Sequence, residues 1–141
     1  MIILDTDHIV TLKYSGSERF SRLAQRMADS EDQDFVTTAI TFEEQMRGWL
    51  AQINRLRDVE KQVPAYSELI ALIDFFGFWT VLPFDAAAAG QFTDYRKQRI
   101  RTGTMDLKIA SIAVTQDSLL LTANTRDFES IPNLRIEDWI N

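Results

Sequence analysis

Three consecutive leucines, Leu119-Leu120-Leu121, run directly into a polar cluster from Thr122 to Asp127. A run this short and apolar at every position predicts a strand buried on both faces, as in a parallel sheet. Before it, Met105, Ile109, Ile112 and Ala113 recur at helical spacing, after a break at Gly103 and with Thr104 placed to cap. Asp117-Ser118 marks the turn between helix and strand. Asp106 therefore falls in the first turn of a helix, while Asn124 and Asp127 fall just past a strand's carboxyl end. In open α/β sheets those are the places where ligands bind.

The rest of the chain repeats this alternation. Ile2-Ile3-Leu4 predicts a buried first strand ending in Asp5-Thr6-Asp7, with Asp7 capping a short helix over 8–13. A second helix is predicted over 17–28, with Phe20, Leu23, Ala24 and Met27 on one face, and a second strand over 35–38. Thr41-Phe42-Glu43-Glu44 has the spacing of a capping box, Glu44 reaching back to the helix start. That helix continues through Met46, Trp49, Leu50 and Ile53. Residues 55–63 read as charged and helical, and Pro64 as the start of a further helix. In it, Leu69, Ile70, Ile73 and Phe76 lie at helical spacing before Gly77. A third strand is predicted over 79–82, a helix capped by Asp85 over 86–99, and a last strand near 134–136.

The order β-α-α-β-α-α-β-α-α-β-β implies a three-layer α/β/α domain, a mostly parallel sheet of four to five strands with helices on both faces. Residues 1–141 read as one domain, with no repeat or linker. There is no cysteine, which excludes thiolate chemistry and disulfides. The apolar start is too short for a signal peptide and no run reaches membrane-spanning length, so a soluble, cytoplasmic protein without membrane contact is expected.

Parallel strands direct all their carboxyl ends to one edge, so Asp5, Glu44, Asp106 and Asp127 should converge. Each acid alone is commonly only a cap or a solvated side chain. Four together repel one another unless a cation is present, which favours a divalent-metal site with oxygen ligands. The net charge is -6, yet Arg96, Lys97, Arg99, Arg101 and Lys108 crowd the segment before and into the Asp106 helix, with Asp106 as its one acid. Such a run is either a solvated helix face or a rim facing phosphate.

Leu4-Asp-Thr-Asp-His8, Thr41-Phe-Glu-Glu44 with Gly48, Gly103-Thr-Met-Asp-Leu-Lys-Ile-Ala110 and Thr122-Ala-Asn-Thr-Arg-Asp-Phe128 resemble, in order, the motif blocks of PIN-domain ribonucleases. They are most like those of the VapC-like toxins of type II toxin–antitoxin systems, and Ile131–Trp139 resembles that family's C-terminal strand region. The resemblance implies a single PIN-like domain that hydrolyses RNA phosphodiester bonds with one or two Mg²⁺ or Mn²⁺ ions. It implies Asp5, Glu44 and Asp106 as the central metal-binding acids, with Asn124 or Asp127 completing the site. Thr6 and Thr122 would support them, and the single histidine, His8, reads as structural. The resemblance also implies a homodimer and a protein antitoxin whose arginine-bearing tail covers the active-site groove.

Too many large apolar groups line the helix from Thr41 for one buried stripe. Phe42, Met46 and Trp49, with Tyr14 and Phe20, are therefore expected to form an exposed groove for an antitoxin helix. Two rival readings are a noncatalytic PIN-like binding module and, less well matched, a phosphatase using Asp5-Thr-Asp7 as its nucleophile motif.

Overall fold

A computed structural model describes residues 1–141. Five strands form one parallel sheet in the order β3-β2-β1-β4-β5: β1 (Ile2–Leu4), β2 (Phe35–Thr38), β3 (Val81–Leu82), β4 (Leu119–Leu121) and β5 (Arg135–Glu137). Seven helices connect them: α1 (Thr6–Lys13), α2 (Glu18–Asp29), α3 (Ala39–Arg55), α4 (Val59–Gly77), α5 (Ala86–Lys97), α6 (Thr104–Thr115) and α7 (Thr125–Phe128). The α/β expectation holds. The third strand is shorter than predicted, and the one-turn helix α7 occupies what the sequence read as loop. No helix is long and apolar enough to cross a membrane.

The strand period of two divides the core in half. On one face Ile3, Val36 and Leu120 pack with Tyr95 of α5 and with Leu107, Ile109 and Ile112 of α6. On the other, Ile2, Leu4 and Leu121 pack with Ile9 of α1, Leu23 of α2, and Leu72 and Phe76 of α4. Helix α6 is the most deeply set: Leu107, Ile109, Ala110, Ser111, Ile112 and Ala113 are all buried. Its alanines allow that closeness, and Ser111 satisfies its hydroxyl by donating to the Leu107 carbonyl at 2.7 Å.

Several local expectations are overturned. Asp5 rather than Asp7 caps α1, accepting from the Thr6 amide at 2.7 Å. Thr38 rather than Thr41 caps α3, its hydroxyl accepting from the Thr41 amide at 3.2 Å, so no capping box forms and Glu44 lies within the helix. Gly103, not Thr104, occupies the cap position of α6, and no side chain caps it. Pro64 does not begin a helix but lies inside α4, which runs unbroken from Val59. That helix buries Ala65, Leu72 and Phe76, while Ile70 and Ile73 face solvent. The helical spacing of both isoleucines with Leu69 and Phe76 predicts them packed, and the rotation of α4 turns them outward instead.

Candidate active site

Between β1 and β4 the strand order reverses, and the carboxyl ends there open a crevice. The ladder holds both ends in place. The Asp5 amide donates to the Leu121 carbonyl at 2.9 Å, and the Thr122 amide to the Glu137 carbonyl at 2.9 Å. Asp5 itself is 4% exposed. Its carboxylate accepts from the Thr6 amide on one oxygen and from the Thr122 hydroxyl, at 2.9 Å, on the other. Thr122 uses the same hydroxyl to accept from the Asn124 amide at 3.1 Å, which sets the turn into α7.

Glu44 reaches this edge from the second turn of α3. Its carboxylate accepts from the Thr6 hydroxyl at 2.6 Å, so Thr6 bridges the Asp5 and Glu44 segments with its amide and its side chain. The neighbouring Glu43 turns along the helix instead, pairing with Arg47 at 2.7 Å. Asp106 is half-buried in the first turn of α6. Asp127 and Asn124 lie on the exposed rim formed by α7 and the residue before it.

The electrostatics follow from this placement. Burial pushes the Asp5 carboxyl up to about 6; the Thr6 and Thr122 hydrogen bonds oppose that, and the charges of Asp106 and Glu44 add to it. Asp106 is likewise raised to about 6, by burial first and then by Glu44, Asp127 and Asp7. Asp7, left out of the predicted cluster, thus contributes to its field. The acids sense one another's charge, yet no three His, Asp or Glu side chains are gathered closely enough to enclose a metal ion as they stand. The donor set is nonetheless what a hard cation takes: carboxylate oxygens with hydroxyls behind them, and no thiol or imidazole. His8 is fully buried away from them, its Nε2 accepting from the Trp139 amide at 3.1 Å.

The basic segment divides. Arg96, though exposed, is folded back on its own loop: its guanidinium lies 5.1 Å from the Phe92 ring centroid and donates to the Ile100 and Thr102 carbonyls and the Thr104 hydroxyl. It braces the loop into α6. Lys108 stands over Phe84 at 5.8 Å. Lys97 and Arg99 are exposed near the end of α5, Arg99 with a positive φ of 59°. Arg101 lines a cavity of about 360 Å³ with Asp106, Asp127 and Arg126, the last a residue the sequence reading passed over. Its signal in the sequence is its place inside the Thr122–Phe128 block, directly between Asn124-Thr125 and Asp127.

The proposed apolar groove is only partly open. Tyr14 is exposed, but Phe20, Phe42, Met46 and Trp49 are half-buried, and Phe42 packs edge-on against Phe76 with centroids 5.1 Å apart. The more exposed apolar surface lies on α4, at Val59, Val63, Tyr66, Ile70 and Ile73.

No protein-family model matches the chain. A ribonuclease VapC from Rickettsia bellii is 27% identical over 140 residues, covering 96% of this chain and 93% of that protein. A tRNA(fMet)-specific endonuclease VapC from Salmonella typhimurium is 34% identical over 84 residues, covering 57% of this chain and 64% of that protein. Among solved structures, VapBC-1 from nontypeable Haemophilus influenzae superposes with a TM-score of 0.70 at 23% identity, covering 100% of both chains. DNA-bound VapBC from Salmonella typhimurium gives 0.68 at 25% identity, over 98% of this chain and 97% of that one. With a parallel sheet that carries its acids at the carboxyl edge, and with these likenesses along nearly its whole length, the chain has the PIN-type fold of the VapC proteins and is similar to them in sequence.

Proposed function

We propose that this protein is a metal-dependent endoribonuclease, the toxin of a toxin–antitoxin pair, with Asp5, Glu44 and Asp106 as its central acids. The observation that carries this is the junction at Thr6 and Thr122. Two hydroxyls from separate segments fix the carboxylates of Asp5 and Glu44 within range of Asp106's charge, although bringing acids together is unfavourable without a cation. The relatives' names, ribonuclease and endonuclease VapC, support the reaction, and the VapBC assemblies support a protein antitoxin as partner.

Asp5 and Asp106 would hold Mg²⁺ or Mn²⁺, with Glu44, Asn124 and Asp127 contributing directly or through water. A divalent ion bound there supplies Lewis acidity, lowering the pKa of a water and offsetting charge on the phosphate oxygens. The chain's own part is orientation. Thr122 and the Thr6 amide hold Asp5 with one lone-pair direction of each oxygen already used, and the Thr6 hydroxyl aims Glu44. Burial keeps bulk water from screening Asp5, which strengthens its pull on any cation. Asn124 and Asp127 stand at the open side, where substrate must approach. An arginine offered by an antitoxin tail would compete for the same carboxylates, since its planar fork pairs with two oxygens at once. A homodimer and a cytoplasmic location belong to this proposal too.

The test is cleavage of structured RNA with and without Mg²⁺ or Mn²⁺, beside Asp106→Asn. Activity that needs the ion and collapses in the variant is the expected result. Metal-independent cleavage, or an Asp106→Asn protein as active as the parent, would overturn the site assignment.

A further inference from the structure

We infer that the cavity between the start of α6 and α7 seats a backbone phosphate of the bound RNA strand, held by Arg101 and Arg126. This rests on the nuclease reading above and names how that site would hold its substrate. The cavity, of about 360 Å³, has no apolar side chain in its lining; Arg101 and Arg126 supply its cations and Asp106 and Asp127 its acids. Arg126 also borders a second cavity of about 320 Å³ with Asn124 and Asp127, so it stands at the junction of two open spaces along the acid rim.

The two arginines come from different segments, one from the loop before α6 and one from α7, and meet at one wall. Neither makes a hydrogen bond or an ion pair, although carboxylates line the same space. By contrast Arg96, five residues from Arg101 in sequence, is fully engaged by Phe92 and by the loop carbonyls. The wall is braced from behind, the buried Thr102 hydroxyl donating to the Asp127 carbonyl at 3.0 Å and so tying the two segments together. Free guanidiniums on a tied frame suit a tetrahedral oxyanion, which each fork can meet with two parallel hydrogen bonds. The space is roomy enough for a phosphate and its ribose. Without an aromatic or apolar wall, however, it offers a base nothing to stack on, so the contact reads backbone and not sequence.

The experiment measures binding of an RNA decamer across a salt series with Ca²⁺ in place of Mg²⁺ to slow cleavage, the decamer being checked as intact after each titration. The proteins are the parent, Arg126→Gln, Arg126→Lys, Arg101→Gln and, as a control at the opposite edge of the sheet, Arg135→Gln. Losing one phosphate contact should lower the salt slope by about 0.7. Arg126→Gln and Arg101→Gln should each show that drop with roughly tenfold weaker affinity, equally for uridine-rich and adenine-rich decamers. Arg126→Lys should keep the slope but not the full affinity, and Arg135→Gln should match the parent. On cleavable RNA, Arg126→Gln should raise KM far more than it lowers kcat. An Arg126→Gln slope and affinity equal to the parent's overturn the phosphate seat; if the parent still cleaves RNA, the nuclease reading survives that loss. A flattened slope in Arg126→Gln with no cleavage by the parent under any divalent ion would leave the seat standing and sink the nuclease reading. A loss confined to one decamer sequence would overturn the backbone assignment.

Discussion

The Thr6 hydroxyl donates to the Glu44 carboxylate at 2.6 Å, joining the first turn of α1 to a helix 38 residues away. Because the Thr6 amide also donates to Asp5, a single residue sets the orientation of two acids.

That relationship makes Thr6→Ala a test of aim. The bond is partly exposed, so its loss should cost no more than about 1.5 kcal/mol of stability. Support of this kind behind a metal-binding carboxylate is typically worth about 10- to 100-fold in activity. Thr6→Ala should therefore lose at least about tenfold in RNA cleavage while melting close to the parent, and Thr6→Ser should recover most of the loss. Equal activity in all three proteins would remove Thr6 from the site.

Asp5 carries a stability cost with a definite pH window. Its carboxyl titrates near 6 in the folded chain against an ordinary 3.8, so the native state binds the proton more tightly than the unfolded chain. Stability is then present at low pH and is lost as pH rises from about 4 through 6, on the order of 3 kcal/mol at most. Asp5→Asn keeps a competent cap and removes the charge. Without divalent ions it should melt several degrees above the parent at pH 7 and show no advantage at pH 4. Adding Mn²⁺ should raise the parent's melting temperature and not the variant's. A melting curve for Asp5→Asn that matches the parent at pH 7 would contradict the cost.

His8 works in the opposite direction over nearly the same window. Burial lowers it to about 4, against a smaller upward pull from Asp138 and with Arg19 and Arg26 adding to the depression. The unfolded chain then takes up a proton that the native state refuses, so stability is lost as pH falls from about 6.5 to 4. Asp106, also raised to about 6, acts with Asp5, so the two acids outweigh His8 and the parent should gain stability as pH falls through this range. Asp5→Asn should gain less than the parent on acidification, with Asp106 and His8 left nearly in balance, and His8→Gln should gain more. Parallel pH profiles for parent and both variants would show that neither group titrates as described.

Two adjacent residues of α4 separate packing from composition. Leu72 is 1% exposed and Ile73 60%. Leu72→Ala should cost about 2–5 kcal/mol by leaving a cavity against the sheet, whereas Ile73→Ala should stay within about 0.5 kcal/mol. Denaturant melts of the two variants decide it, and comparable losses would mean that α4 is rotated from its position here.

What the amino-acid sequence determined by itself was whatever depends on neighbours a few residues apart. Runs such as Ile2–Leu4 and Leu119–Leu121, apolar at every position and closed by turn residues, read as buried parallel strands, and parallel strands carry their trailing acids to one edge. That much of the fold was legible because period and punctuation are local properties. How near the acids come to one another was not: they feel one another's charge, but no three are gathered around one point. Tertiary structure decided the rest. Thr41-x-x-Glu44 satisfied every local requirement of a capping box, but Thr38 took the cap and Glu44 met Thr6 instead, a partner no spacing rule could supply. Ile70 and Ile73 fitted an apolar stripe with Leu69 and Phe76, yet Leu72, outside that stripe, is the residue buried, because the angle at which α4 meets the sheet chose between them. Among the basic residues, the sequence could count charges but not directions. Arg96 was folded back at the surface onto Phe92 and the free carbonyls of its loop, while Arg126 was brought near Arg101 by a fold that brings together segments 25 residues apart, as the Thr102–Asp127 bond records. Contacts across such distances depend on how whole elements pack, and that energy is shared among too many side chains to be read from any one stretch.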